Sequence, residues 1–351
     1  MNDIVAPVAQ PAITHPFPEL PASATTIEVV PGLHWLRMPL PFALDHINLW
    51  LLEDGDGWTV VDTGMLLDEV KDYWQTLFGG VMAGRPVKRV IVTHFHPDHI
   101  GLAGWLVAER ETELWISRTE WLMHMMLCFD ETGHIHDRQV ELYQENGLGE
   151  EWTSQMTGHG NPYRRRVSQA PMAYTRIADG DEIDIGGRAW RVIVGTGHAP
   201  EHACLYCAEA GVLISGDQIL PKITPNISLW ASDQDANPLG DYLGSLDRFR
   251  DLPAETLVLP SHNLPFRGLA TRLDQLAHHH DDRLARIIEE CAEPRTGADI
   301  VPVLFRRQLD VHQIAFAMGE SLAHLAYLRR LGRLATTRSG NGAIAYHRTG
   351  G

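Results

Sequence analysis

The chain of 351 residues contains few cysteines and no long apolar run. A membrane-spanning helix needs about 20 consecutive apolar residues, so we expect no transmembrane segment. The four cysteines are too few for a disulfide framework, which indicates a reducing cytoplasm. Cys204 and Cys207 form a lone C-x-x-C pair. A structural zinc site would need a second such pair, so we expect the cysteines to be buried free thiols.

Basic residues are also scarce. There are 29 Lys and Arg against 45 Asp and Glu, which gives a net charge of −16 with His neutral. An acidic chain repels phosphate backbones, so nucleic acid is disfavoured as a partner. Residues 1–26 are rich in Pro and Ala and lack the basic start and apolar core of a signal peptide. We expect them to form an extended arm over the surface, available for contact in a homodimer.

Strand-like and helix-like segments alternate along residues 27–296, which predicts one main domain with a layered α/β fold. Residues 119–168 interrupt the alternation with helical spacing and many Met and Trp side chains. This pattern predicts a helical insertion that either packs into the core or walls an apolar substrate groove. Residues 297–351 change character again, to helices followed by a hairpin around SGNG, and contain several arginines. We expect them to form a small winged-helix-like unit.

The stretch VTHFHPDHIG places three histidines and an aspartate within six positions. Taken alone, it also fits a solvated polar loop. His94 and His96, however, follow the apolar strand RVIVT, and His198, Asp217 and His262 each follow a later apolar strand. Layered α/β proteins place their sites in the loops at one edge of the sheet. The repetition at strand ends therefore predicts a metal site.

The local spacing agrees with this interpretation. In an extended segment, His94 and His96 project to the same side because the side-chain period is two. Pro97 then turns the chain toward a helix, which lets Asp98 and His99 point back at the same region. One short segment thus offers ligands for two ions.

The motifs THFHPDHIG, TGHAPEH, SGD and LPSHN together resemble those of the metallo-β-lactamase superfamily, and the glyoxalase II and lactamase-beta-2-like branches look closest. The resemblance covers about residues 27–290 and implies a four-layer αβ/βα sandwich with two divalent metal ions. Zinc suits such nitrogen and oxygen ligands, with iron or manganese as alternatives. The implied ligands are His94, His96 and His198 for one ion and Asp98, His99 and His262 for the other, with Asp217 bridging both. Asp62 in VVDTG matches the family's aspartate that orients ligands without binding metal.

A site of this kind would supply its own nucleophile, a metal-bound hydroxide. Zinc lowers the pKa of bound water from about 15.7 to about 7, on the order of 12 kcal/mol, whereas a positioned base contributes roughly 3–5 kcal/mol. We expect a bridging hydroxide to attack an electrophilic carbonyl, with Asp217 indispensable and Asp98 relaying the proton. Lys222 and Trp230 follow Asp217 in a Gly/Pro-rich loop and are candidate substrate contacts.

Three functions fit this site. The first is hydrolysis of a small-molecule thioester, ester or lactone, favoured by the acidic composition and the Trp/Met-rich insertion. The second is a nuclease acting on RNA or single strands, which the Arg-rich tail favours and the net charge opposes. The third is an iron-dependent persulfide dioxygenase. Elsewhere, we expect the consecutive His278–His280 to form a solvated helix face, and His124 and His159 to lie on the surface.

Overall fold

The structure, a computed structural model, describes residues 12–158, 160–340 and 342–350. Its first large sheet has seven strands that neighbour one another in sequence order. They are β1 (Ile27–Val30), β2 (Leu33–Pro39), β3 (His46–Asp54), β4 (Gly57–Val61), β5 (Val87–Ile91), β6 (Glu113–Ser117) and β7 (Thr175–Ile177). Strands β1 to β4 pair antiparallel, and β4 to β7 pair parallel. The parallel half directs successive strand ends to one edge.

The second large sheet has the strand order β12-β11-β10-β9-β8. Its strands are β8 (Glu182–Ile185), β9 (Arg188–Gly195), β10 (His202–Cys207), β11 (Val212–Gly216) and β12 (Leu257–Pro260). Only the β11–β12 pair is parallel among these. Between the two sheets lies an apolar layer that includes Trp35 and Trp50 from the first sheet and Trp190 and Leu205 from the second.

Helices cover both outer faces. The first sheet packs against α1 (Asp68–Gly79), α2 (Pro97–Ile100), α3 (Ala103–Arg110) and α4 (Arg118–Phe129). The second packs against α5 (His134–Glu145), α6 (Glu150–Met156), α7 (Pro238–Leu246), α8 (Leu269–Glu290), α9 (Gly297–Leu304) and α10 (Val311–Arg330). The order helix, sheet, sheet, helix confirms the predicted four-layer sandwich, and helices α4, α5 and α6 lie in the segment predicted to be a helical insertion.

The C-terminal segment follows the predicted order of helices and hairpin. Strands β13 (Arg295–Thr296), β14 (Leu334–Arg338) and β15 (Ile344–Arg348) form a small sheet in the order β13-β15-β14. Helix α10 buries Met318, Leu322 and Leu325 in the same core as Leu213 and Val258 of the second sheet. This helix therefore shares a core with the sheet that carries part of the site, and the domain boundaries stay a prediction.

Two histidine predictions need correction. His278 is exposed as predicted, but His280 is fully buried, and its Nδ1 lies 3.1 Å from Nε2 of His324 on α10. The reason is its place on α8, four residues from Leu276 and from Leu284, on the apolar stripe. His124 is also buried, with Nε2 accepting from the backbone N–H of Ala170. His159 lies outside the described residues.

Three further expectations from the sequence concern the state of the cysteines, the absence of a membrane-spanning helix and the position of the N-terminal arm. The four cysteines are buried and free, as predicted. Within the described part of the chain, no helix is both long and apolar enough to cross a bilayer. Thr14 pairs with Arg267 in an isolated antiparallel bridge, which ties the described end of the arm to the segment before α8. Residues 1–11 of the arm lie outside the described range.

Candidate metal centre

The side chains predicted to bind metal meet at one end of the sandwich. Strands β4, β5, β9, β11 and β12 all end there, and each is followed within a few residues by a histidine or an aspartate. The first turn of α2 supplies two more. The groups brought together are Asp62, His94, His96, Asp98, His99, His198, Asp217 and His262. Strand-end placement thus explains how residues distant in sequence share one site.

Three imidazoles form one half of the cluster. Nε2 of His94 lies 2.9 Å from Nδ1 of His96 and 3.2 Å from Nε2 of His198, and the His96–His198 distance is 3.1 Å. Burial lowers the pKa of His94 well below its usual value and that of His96 to about 3, so both rings are neutral. Tetrahedral zinc with bonds of about 2.0–2.1 Å separates nitrogen ligands by about 3.3 Å. The three nitrogens are spaced nearly as such an ion requires.

The other half of the cluster combines two carboxylates with two imidazoles. Nε2 of His262 lies 3.4 Å from both Asp98 Oδ2 and Asp217 Oδ1, and Nε2 of His99 lies 3.7 and 3.6 Å from the same two oxygens. The second oxygen of Asp217, Oδ2, is 3.5 Å from Nε2 of His198 in the imidazole half. Asp217 therefore presents one oxygen to each half, which is the geometry that a bridging ligand needs.

The charge balance of the second half favours a cation. Burial opposes a positive charge on His99 and His262, yet the surrounding carboxylates raise the pKa of His99 well above its usual value and that of His262 to about 10. Burial likewise opposes ionisation of Asp217, but His262 and His99 lower its pKa well below the usual range. Without metal, two protonated imidazoles balance the carboxylates. A divalent ion would replace those protons.

Two atoms show directly that the residues fit such ions. Nε2 of His99 and Oδ1 of Asp217 are buried without a hydrogen-bond partner in the described structure, and both point into the cluster. A buried unpaired polar atom costs about 1–3 kcal/mol, which coordination of a metal ion would offset. Three overlapping ligand sets are formed: His94/His96/His198, His94/His99/Asp217 and Asp98/His99/His262.

His99 and His198 are each oriented through their other ring nitrogen, Nδ1. Nδ1 of His99 donates to Oδ2 of Asp62 at 2.8 Å, and Asp62 in turn accepts from the backbone N–H of Thr93 at 2.8 Å. Asp62 adopts the left-handed region at φ 61°, a strained conformation for a residue with a side chain. Nδ1 of His198 donates to the carbonyl of Asn226 at 2.8 Å. These are the contacts that fix a ligand's tautomer and direction.

Sequence reasoning missed two groups that support the site. Glu120 on α4 is fully buried and accepts from the backbone N–H of Phe95 at 3.0 Å and of Glu201 at 2.6 Å. It thereby braces the two loops that carry His94 and His198. His202 is buried and accepts from the backbone N–H of Asp217 at 3.0 Å. His202 stands in the quoted motif TGHAPEH, whereas no pattern distinguishes Glu120 from other helical glutamates.

Replacing Glu120 by alanine should leave two buried N–H groups without an acceptor. We expect the free energy of unfolding to fall by about 2–5 kcal/mol and metal affinity to fall by about 10–100-fold. Glu120→Gln keeps one acceptor oxygen and should give intermediate losses. Denaturant unfolding and competitive metal titration measure both quantities, and an alanine variant that binds metal as the wild type does would contradict the bracing role.

The predicted substrate contacts differ in their surroundings. Trp230 is half-buried, with its ring centre 6.0 Å from that of Phe95, which is itself 4.6 Å from the His96 ring. Met123, Ile135 and other apolar side chains complete this aromatic wall beside the imidazole half. Lys222 is exposed, and no hydrogen bond or ion pair links it to the cluster among the described residues. Both substrate roles stay predictions.

Two family models match consecutive parts of the chain. A model of the metallo-beta-lactamase superfamily matches residues 43–262, and a model of the metallo-beta-lactamase-like C-terminal domain matches residues 284–349. A solved β-lactamase domain protein from Burkholderia ambifaria is 42% identical with a TM-score of 0.90, covering 96% of this chain and 98% of that one. "Probable metallo-hydrolase YqjP" from Bacillus subtilis is 27% identical over 84% of this chain and 91% of its own. An acyl-coenzyme A thioesterase from Homo sapiens is 24% identical, covering 71% of this chain and 84% of its own. The chain therefore belongs to the metallo-β-lactamase superfamily and carries the C-terminal domain that follows it in such proteins.

Proposed function

We propose that the protein is a binuclear metallo-hydrolase that cleaves a small-molecule thioester, ester or lactone. The observation that carries the proposal is the position of Asp217, whose two oxygens face the two halves of the cluster at 3.4 Å from His262 and 3.5 Å from His198. A shared carboxylate between two ligand sets is typical of paired-metal hydrolytic sites. The similarity to a human acyl-coenzyme A thioesterase supports an acyl substrate.

The residues of the site have distinct tasks in this proposal. Two divalent ions bound there, zinc in our proposal, would supply a water ionised near neutral pH and a Lewis acid for the carbonyl. His94, His96 and His198 offer neutral nitrogens. The Asp98 side chain is 20% exposed against 10% for Asp217, so Asp98 is the cluster carboxylate best placed to exchange protons with solvent. Burial opposes its ionisation, but His99 and His262 lower the pKa of Asp98 to about 2, so this carboxylate is ionised near neutral pH.

Apolar surface beside the imidazole half favours a substrate with an apolar part. Phe95 and Trp230 form the wall nearest His96. Helix α4 lines the same wall with buried Leu127 and exposes a stripe along another face, formed by Leu122, Met126 and Phe129 at 51%, 38% and 59% exposure. An acyl chain fits such surroundings better than a polyanion does, and the net charge of −16 acts in the same direction.

The nuclease alternative has less support. The arginines of the C-terminal segment that favoured it are partly engaged within the chain. Arg329 lies 3.8 Å from the carboxylate of Asp235, Arg330 donates to the carbonyl of Asp235, and Arg338 donates to that of Gly342. Only the contact between Arg329 and Asp235 pairs opposite charges, and it is exposed, so the net charge of −16 is the stronger argument against a nuclease.

A substrate panel tests the proposal. Zinc-loaded protein is offered acyl thioesters of increasing chain length, aryl esters, lactones and an oligoribonucleotide, and iron-loaded protein is offered a persulfide. We expect turnover of an acyl substrate, with kcat/KM rising about fourfold per added methylene because each buried methylene contributes about 0.8 kcal/mol. Trp230→Ala should flatten that rise. Salt-sensitive RNA cleavage or oxygen-dependent persulfide consumption, without acyl hydrolysis, would overturn the proposal.

A further inference from the structure

The segment that joins β11 to α7, residues 218–237, contains neither helix nor strand. We call it the 218–237 loop. It begins directly after Asp217, and its Asn226 carbonyl accepts the 2.8 Å hydrogen bond from Nδ1 of the metal ligand His198. An irregular segment of this length needs partners from elsewhere to fix its backbone groups. The position of a carbonyl that orients a metal ligand therefore depends on what holds this loop.

The loop is held by side chains from the helices that cover the second sheet. Buried Arg272 on α8 donates to the carbonyls of Leu220 and Ile223, at 2.5 and 2.8 Å. Gln139 on α5 donates to the carbonyl of Leu229 at 3.1 Å. These contacts anchor the loop on both sides of Asn226.

Helix α10 holds Asn226 itself. Nδ2 of Asn226 donates to Oε2 of Glu320 at 3.2 Å and to the carbonyl of Phe316 at 3.3 Å. Glu320 is 4% exposed and forms an ion pair with Arg283 of α8. A buried carboxylate is costly unless it is paired and hydrogen-bonded, and the pair with Arg283 leaves one oxygen of Glu320 available for Asn226.

A glycine brings the loop against α10. A Cβ added at Gly319 would lie 2.5 Å from Oγ and 2.9 Å from Cβ of Ser228, closer than side-chain atoms pack. The carbonyl of Gly319 accepts from the backbone N–H of Leu229 at 3.1 Å, and Ser228 Oγ donates to Oδ1 of Asn226 at 2.6 Å. Both Nδ2 and Oδ1 of the Asn226 side chain are thus hydrogen-bonded. They lie where the loop approaches α10 so closely that only glycine fits at position 319.

We propose that Glu320 is a positioning residue for the metal ligand His198. Paired with Arg283, it fixes the side chain of Asn226, and through it the carbonyl that sets the orientation of the His198 ring. Helix α10 of the C-terminal domain is in this way a supporting part of the metal centre. The inference rests on the metal binding in our proposed function.

A matched pair of double variants separates positioning from simple helix packing. Arg283→Met with Glu320→Gln removes the buried ion pair but keeps an acceptor oxygen for Asn226, whereas Arg283→Met with Glu320→Leu removes both. Neither leaves an unpaired buried charge. Cobalt serves as the probe, with affinity measured by competitive titration, coordination by the visible d–d spectrum, and thermal stability measured on metal-free protein.

We expect the Gln variant to bind both cobalt ions within about twofold of the wild type. The Leu variant should bind one of the two about tenfold more weakly, with an altered spectrum, while the metal-free proteins melt at similar temperatures. Equal cobalt affinity in both variants would overturn the inference. Wild type that binds no cobalt would instead overturn the proposed function, and this inference with it.

Gly319→Ala offers a second test that does not touch the ion pair. Alanine suits a helix interior better than glycine does, so the helix itself should not be weakened. The added methyl must displace Ser228 and with it Asn226. We expect cobalt at the weakened site to bind several-fold less tightly, as in the Leu variant. Wild-type affinity and spectrum in Gly319→Ala would count against the proposal.

Discussion

Replacement of Asp217 by alanine is expected to abolish turnover, lowering kcat/KM by roughly 10³-fold or more. Breaking a buried charge cluster by removing one partner costs about 3–5 kcal/mol, and here the lost carboxylate serves both halves of the site. His262 and His99 lose a carboxylate oxygen at 3.4 and 3.6 Å, and His198 loses one at 3.5 Å. Steady-state kinetics and the number of metal ions per chain measure the effect, and we expect fewer than two ions.

Two further variants define the specificity of this result. Asp98→Ala should also abolish turnover but leave the His94/His96/His198 set intact, so that one metal ion stays bound. Asp247→Ala is the control, because Asp247 pairs with Arg250 at the surface and should leave kinetics unchanged. Full activity in the Asp217→Ala variant would contradict the proposed mechanism.

Removal of metal is expected to abolish activity and to make stability depend on pH in a defined direction. In the metal-free protein the carboxylates overcome the effect of burial and hold the pKa of His262 at about 10, above the usual value of about 6.5. The stabilisation from this group is complete below pH of about 6.5 and is lost as pH rises through about 10. The melting temperature of the metal-free protein should therefore fall as the pH is raised from about 6.5 to about 10.

Metal binding should release the protons that these imidazoles carry in the metal-free protein. At pH 8, metal uptake must displace the protons on His262 and His99, so about two protons should be released and affinity should rise with pH. Calorimetry in buffers of different ionisation enthalpy counts them. Metal at about 1,000 times its dissociation constant should add about 4 kcal/mol to the free energy of unfolding. Uptake without proton release, at a pH-independent affinity, would show that these histidines are not ligands.

The layered fold and the clustering of histidines and aspartates were both predictable from sequence, for a shared physical reason. Alternating strands and helices place strand ends at one edge, and side chains with metal-binding groups stand at those ends. His94, His198 and His262 could thus be grouped before their distances were known. The resemblance of the motifs to a known superfamily then supplied the assignment of ligands to two ions.

The groups that hold the ligands could not be predicted in the same way. Glu120 and Glu320 each stand on a helix, where a glutamate ordinarily faces solvent, and only tertiary packing turns them inward. Asn226 acts through its backbone carbonyl, which leaves no mark in the sequence. His280 is a different case, because its spacing from Leu276 and Leu284 already placed it on the buried stripe.

Anomalous diffraction from crystals of the zinc-loaded protein, recorded at the zinc absorption edge, would locate the metal ions. We expect two peaks: one bound by His94, His96 and His198, the other by Asp98, His99 and His262, with Asp217 in contact with both. Zinc peaks remote from the segment of residues 94–99, or none at all, would contradict this expectation.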